Sequence, residues 1–552
     1  MARNEKRLQE AIALHTSGKV EEAVAAYRQL LRQNPNDALV LDYLAQGLQI
    51  ECRLEEALYA RRQAVRLEPE NLFLRDHLAS LLIDMGEPDQ SVEVWRDLVA
   101  RSSAANSAVQ STAEIRLARQ MAEARRVPEA IERLRQMATR WPGDSRVIME
   151  CAAMHERMGD ADAARRYAES VLASDAEHVD ANTMLARLEA AAGQSEAARA
   201  RLERILARPE SASSGRIHAM LAQVLDKLRE YDAAFAHASI AQRAQFDAMP
   251  LQHKNLDIHE VIPAEALKLT GDQIAAWPRP AEGLELPVGV PAAPVFVVGF
   301  PRSGTTLIEQ MFSAHPNLAV SDELPVLQAI RQKIYADVRK GGRYPADLGS
   351  FTARQVTDGR RWYLERMYRA VPEAGGKLDG GARKRIVDKH PLNTVEMCFA
   401  RLLFPDSPII YVQRDPRDTL ISVFMQGFSQ AVPHLFSLEG SARLYHLFAQ
   451  TWAHYEKVLG MRTMRLRYED LVEDPEREAR RMIEFIGEPW SQAVLNYYAP
   501  EHRRFVVTPS YADVSKPVYK RARGRWRNYE THLAPILPVL RPWIEAGGYD
   551  PE

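Results

Sequence analysis

The chain has 552 residues, enough for two to four domains rather than one. Apolar residues make up 46% and charged residues 26%, which excludes wholesale disorder. With 72 Lys and Arg against 74 Asp and Glu, the net charge is −2, so no sequence-independent grip on nucleic acid is expected. Cys52, Cys151 and Cys398 lie far apart without metal-ligand spacing, so neither a disulfide framework nor a bound metal is expected. The opening MARNEKRLQE lacks the apolar run of a signal peptide, and no run of about 18 apolar residues occurs anywhere. The expectation is a cytoplasmic chain with no membrane span.

Residues 1–245 are rich in Ala, Arg, Glu and Leu, and they repeat. Pro35 and Pro69 are 34 residues apart, as are Ala23 and Ala57. Gly18, Cys52 and Gly86 share one column at that step, and Gly159 and Gly193 share another. Ala130 precedes Pro142 as Ala23 precedes Pro35, and Ala164 and Ala198 continue the series. A 34-residue helix–turn–helix unit, with small residues where its helices cross and Pro closing the second helix, is the tetratricopeptide (TPR) pattern. About seven units fit, with an insertion near 101–110. Such an all-α solenoid either offers a groove to a protein or peptide partner or only supports the C-terminal half of the chain. Residues 246–290 carry Pro250, Pro263, Pro278, Pro280 and Pro287 and read as a Pro-rich linker with broken regular structure.

Residues 291–552 begin a different pattern. Val295–Val298 is a continuously apolar run suited to a buried parallel strand, followed by the loop Gly299-Phe-Pro-Arg-Ser-Gly304-Thr-Thr. From Thr305, Leu307, Ile308, Met311 and Phe312 mark one helical face. Strand, glycine-bearing loop and helix start together build an anion site, because backbone N–H groups and the helix dipole converge there. Thr305 stands where an ATP-binding P-loop needs Lys, which counts against an ATP-dependent kinase. Further on, the apolar run Ile409–Val412 is followed by Arg414, by Asp415 as an N-cap and by Pro416 in the first helical turn. Leu420, Ile421, Phe424 and Met425 then form the inward face, with Ser422 off its centre.

PRSGTT after an apolar strand resembles the 5′-phosphosulfate loop of sulfotransferases, enzymes that use 3′-phosphoadenosine 5′-phosphosulfate (PAPS). The likeness extends through residues 291–552 and is strongest to protein-tyrosine sulfotransferases and to bacterial proteins joining TPR repeats to such a domain. It implies a three-layer, P-loop-like α/β domain with a parallel sheet. It also implies that Arg302, Ser303, Gly304, Thr305 and Thr306 cradle the 5′-phosphosulfate, and that Arg414 and Ser422, eight residues apart, hold the 3′-phosphate. Ser510 and Arg525 fall where the tyrosine enzymes complete that site with Ser and Lys, and Tyr468 matches a tyrosine near the nucleotide, though a core role is equally open.

Sulfuryl transfer needs a base for the acceptor hydroxyl and cations for charge building on the leaving phosphate. By the resemblance, Glu323, 21 residues beyond Arg302, is the base, unless Asp322 and Glu323 merely cap a helix. Lys389 supplies the cation, together with Arg302. The tyrosine enzymes carry an acidic residue after this Lys; here it is His390, which becomes a second candidate base. The expected function is PAPS-dependent transfer to a protein tyrosine, with a peptide, saccharide or small phenol as other acceptors. A TPR scaffold with an inactive nucleotide-binding domain, or a kinase, are the alternatives.

Overall fold

The computed structural model describes residues 2–50, 53–85, 87–101, 107–124, 126–209, 211–249, 258–281, 291, 293–338, 344–375, 383–426, 432–499 and 523–551. Cys52, Gly86, Pro250, Pro287 and Ser510 lie outside the described residues. The chain forms two compact units: Met1–Ala104, Asn255–Gln413 and Leu447–Arg503 make one, and Ala105–Lys254, Arg414–His446 and Arg504–Glu552 make the other. Helical repeats and the later chain each contribute to both units, a partition that linear boundaries at 1–245, 246–290 and 291–552 do not display.

Fourteen helices run from Ala2–Thr16 to Tyr231–Ala248 among the described residues, and within each unit consecutive helices pack against one another. The alanine column has a packing cause: Ala23, Ala57, Ala130, Ala164 and Ala198 are all fully buried, where a larger side chain would push paired helices apart. The glycine column has a different cause from the one its spacing suggests. Gly18, Gly159 and Gly193 have φ of 85°, 81° and 83°, and an added Cβ at Gly18 or Gly193 would meet open space. These glycines serve a left-handed turn, not a close helix crossing. Arg229 takes the same conformation at the last turn, with φ 67°, and Ala234 five residues on is again fully buried.

Within the expected linker, Ile258–Ala266 and Gly271–Ala275 are short helices, the second opened by a Thr270–Gln273 capping box. Leu269, Ile274 and Trp277 are buried in the core of the first unit, and that anchoring outweighs the breaking tendency of the prolines.

The five strands among the described residues all belong to the first unit: β1 Val295–Gly299, β2 Leu318–Val320, β3 Arg385–Lys389, β4 Ile409–Gln413 and β5 Thr463–Arg467. They pair in parallel in the order β2-β3-β1-β4-β5. Every residue of β1 is buried, as a strand covered on both faces requires. Phe296 and Val298 join Tyr363, Phe399, Phe404 and Trp452 in the main core. From β1 the chain goes first to the edge strand β2, fills β3 in between, and then crosses to β4 and β5 on the other side of β1. The carboxyl end of β1 is therefore the switch point, where doubly wound sheets place ligands.

Candidate functional site

At that switch point β1 runs into the loop Gly299–Gly304. A Cβ at Gly299 would lie 2.6 Å from the Val412 carbonyl oxygen of β4, so only glycine lets the two strands stay in register there. Arg302 (φ 68°) and Gly304 (φ 106°) are both left-handed, which turns the loop back on itself before the helix Thr305–Ser313 begins. Orphan N–H groups of this first turn point out along the helix axis, as an anion site requires. The Thr394 hydroxyl accepts from the Gly299 N–H at 3.0 Å and donates to the Gly299 carbonyl at 2.7 Å, tying the loop to the segment after β3. A Cβ at Gly304 would meet the Tyr468 ring at 2.4 Å, so the structure brings Tyr468 onto the loop. The buried Ser303 hydroxyl has no hydrogen-bond partner among the described residues, which fits an incoming oxyanion.

Beside the loop, β3 delivers Lys389. Its side chain is 0% exposed, and its ammonium lies 2.6 Å from Glu323 Oε1 and 2.5 Å from Glu309 Oε2. Glu323 is positioned by the backbone: its N–H donates to the Lys389 carbonyl at 3.1 Å, and the Lys389 N–H donates to Ser321 Oγ at 3.2 Å. Glu323 has φ 58°, a conformation a side-chain-bearing residue holds at a cost, as functional residues often do. It keeps 25% of its side chain exposed, against 2% for Glu309. Burial pushes Glu309 up to about 8, opposed by Lys389 and helped by Asp322. Burial acts upward on Glu323 too, but Lys389 and His390 outweigh it and hold the carboxyl below its ordinary value. The two carboxylates more than offset the burial of Lys389, which stays an ammonium. Burial pushes the His390 ring down to about 4, so it is neutral near pH 7, and its Nδ1 has no partner among the described residues.

Asp388, next to Lys389 in β3, is fully buried, accepts from Tyr363 Oη at 2.6 Å and from Asn393 Nδ2 at 3.1 Å, and is pushed up to about 7 by burial. Successive strand residues face opposite ways, so one strand end carries a core carboxyl and a site ammonium side by side.

In the second unit the helix Pro416–Phe424 is capped by Asp415, whose side chain accepts from the Arg417 N–H at 2.9 Å. The whole helix is buried, Ser422 included, so its expected polar edge is covered too. Arg414 is buried and immediately follows β4 in the chain. Asp418 accepts from the N–H groups of Gly524 (2.7 Å) and Trp526 (2.8 Å), and Arg417 lies 3.7 Å above the Trp526 ring. Arg525 is held by Asp226 of the repeat helix Gly215–Leu228 at 3.0 Å, and Tyr529 Oη donates to the same carboxylate at 2.6 Å.

The structure thus gathers the loop residues, Tyr468, Lys389, Glu323 and His390 within the first unit, and places Arg414, Ser422 and Arg525 in the second. Sequence reasoning missed Glu309 and Thr394. Glu309 had one signal: it is the acid in a helix that otherwise reads as apolar and lies against a parallel sheet.

No helix among the described residues is long and apolar enough to cross a membrane, and no group of three or more His, Cys, Asp or Glu side chains among them is arranged to hold a metal. Residues 294–492 match the sulfotransferase family, and residues 5–37 and 155–224 match tetratricopeptide repeats. An uncharacterized protein of Aquifex aeolicus (strain VF5) is 26% identical over 427 residues, covering 75% of this chain and 52% of that protein. The protein-tyrosine sulfotransferase of Drosophila melanogaster is 26% identical over 283 residues, covering 47% of this chain and 52% of that protein. The chain spans about half the length of these two curated relatives. Among solved structures, the sulfotransferase domain of the Synechococcus PCC 7002 olefin synthase is similar with a TM-score of 0.31 and 20% identity, covering 46% of this chain and 90% of that one. The chain therefore joins tetratricopeptide repeats to a domain of the sulfotransferase family.

Proposed function

We propose that this chain transfers a sulfuryl group from PAPS to an acceptor hydroxyl, with protein tyrosine as the acceptor class and the repeats recruiting the acceptor. The observation that carries the reading is the Lys389 ammonium 2.6 Å from the Glu323 carboxylate, on the strand that pairs with β1 as β1 enters the loop. Relatives named protein-tyrosine sulfotransferases support the acceptor class. The Gly304, Thr305 and Thr306 N–H groups, Ser303 Oγ and the Arg302 guanidinium take the 5′-phosphosulfate. Arg414 and Ser422 take the 3′-phosphate, an assignment resting on the motif after β4, with Ser510, Arg525 and Tyr468 completing the nucleotide contacts.

In the transfer, Glu323 accepts the acceptor's hydroxyl proton and the acceptor oxygen forms a bond to sulfur. The sulfur–oxygen bond to the 5′-phosphate breaks, and the electron pair leaves with adenosine 3′,5′-bisphosphate. Lys389 and Arg302 stabilise the charge on that departing oxygen. Glu323 suits the base role because Lys389 keeps it ionised and its partial exposure gives an acceptor access. His390 is the other group able to take the proton, since it is neutral and its Nδ1 lacks a partner among the described residues. The test is incubation with sulfur-labelled PAPS and a cell lysate, followed by identification of the modified residue by mass spectrometry. Label on tyrosine oxygen is expected. Phosphate incorporation from ATP in place of sulfate, or binding of nucleotide with no transfer, would overturn the reading.

A further inference from the structure

We propose that Glu309 is the positioning residue of this site: its buried carboxyl anchors the Lys389 ammonium so that lysine stays aimed at the leaving oxygen while Glu323 changes charge. The inference rests on the proposed sulfuryl transfer and deepens it.

An ammonium has three N–H donors. Lys389 donates to Glu323 Oε1 at 2.6 Å, and Glu309 Oε2 lies 2.5 Å from the same ammonium as its ion-pair partner, so the lysine is held from two sides. The two carboxylates differ in kind. Glu323 follows β2, is strained and keeps a quarter of its side chain exposed; Glu309 lies inside the helix that grows out of the phosphate loop and is 2% exposed. When Glu323 takes the acceptor proton it becomes neutral, and its hold on Lys389 weakens at the moment charge develops on the leaving phosphate. A lysine held by Glu323 alone would then be free to follow the proton. Glu309 has no access to the acceptor, so its hold does not change during the step.

Its location adds a second consequence. Glu309 is four residues after Thr305, one helical turn beneath the loop, so the helix that presents N–H groups to the phosphosulfate also sets the position of the lysine. The anion-binding loop and the catalytic cation are registered to one rigid element instead of two. Burial keeps the Glu309 carboxyl high, so it acts as an oxygen acceptor close to neutrality and not only as a fixed negative charge. A glutamine, which retains an acceptor oxygen in the same place, therefore should do much of the same work.

The experiment compares wild type, Glu309→Gln and Glu309→Leu. It measures kcat and KM with PAPS and the acceptor identified in the labelling experiment. Calorimetry with adenosine 3′,5′-bisphosphate is run alongside. For Glu309→Leu, kcat falls about 100-fold, the loss expected for a displaced catalytic group, while KM for PAPS and the affinity for the bisphosphate change less than about threefold. Glu309→Gln recovers to within about fivefold of wild-type kcat. Unchanged kcat in Glu309→Leu would overturn the proposal, as would equal losses in both variants or a loss confined to KM. Intact bisphosphate binding shows that the leucine variant is folded, and the glutamine variant decides the matter where it is not. A wild type that turns over no PAPS overturns the sulfuryl-transfer reading, whereas a leucine variant that turns over normally overturns this inference alone.

Discussion

Lys389 in the first unit and Arg525 in the second each pair with carboxylates at close range, Lys389 at 2.5 and 2.6 Å and Arg525 at 3.0 Å. Their surroundings differ. Lys389 is shared between a fixed acid and a partly exposed one whose backbone is strained, an arrangement with an open side for chemistry. Arg525 shares its acid with the Tyr529 hydroxyl, so Asp226 is satisfied twice and the guanidinium is drawn toward a repeat helix. Equal charge on two residues thus says little about their roles; the partners and the remaining access say more.

The strongest way to break this contrast is Lys389→Ala. Removing the cation leaves Glu309 and Glu323 as adjacent acids without compensation, and turnover of PAPS is expected to fall by about 10³-fold in a labelled-transfer assay. Retained turnover would move Lys389 to a structural role.

The next effect is on stability. His390 has a folded-state pKa of about 4 against an ordinary 6.5, so the unfolded chain takes up a proton as pH falls through 6.5 while the folded chain does not until about 4. The stabilisation is complete above about 6.5 and is lost progressively toward 4, at about 1.4 kcal/mol per pH unit and about 3 kcal/mol in all. Urea unfolding of wild type and His390→Asn at several pH values between those limits should show the variant lacking that slope; parallel curves would refute a neutral buried ring.

Arg525→Ala sharpens the other side of the contrast. It leaves the Asp226 carboxylate with one partner fewer, and unfolding of the second unit is expected to become easier by about 2 kcal/mol. Arg525 also contacts the nucleotide in the proposed site, so affinity for adenosine 3′,5′-bisphosphate measured by calorimetry is expected to fall tenfold or more as well; unchanged affinity would leave Arg525 the structural role alone. The smallest effect is Arg229→Gly, which relieves a left-handed arginine at a turn where earlier repeats use glycine; a gain of about 0.5–1 kcal/mol in the denaturant midpoint analysis is expected.

Strands β1 and β4 were legible because parallel strands buried on both faces are unbroken apolar runs, and the repeats because their period leaves an alanine at each helix crossing. The loop was legible from its glycines and its place between strand and helix. Glu309 was hidden, because one acid in a short helix looks like a solvent-facing residue until a sheet is known to cover it. Partners distant in the chain were hidden for a simpler reason. Asp418 takes the N–H groups of Gly524 and Trp526 from over a hundred residues away, and Arg525 finds Asp226 from 299 residues away. No local pattern encodes such pairings. The glycine column was visible but pointed to crowding, when the backbone angle was what required it.

Thr394 bonds to both the N–H and the carbonyl of Gly299. A single hydroxyl that bonds to both backbone groups of one residue, and so to two successive peptide units, leaves little slack between the anion loop and the stretch bearing His390. A tug on one is transmitted to the other without a joint between them, so alignment here is a matter of stiffness built into the fold. A lost methyl or hydroxyl at that threonine would be felt at two sites of chemistry together.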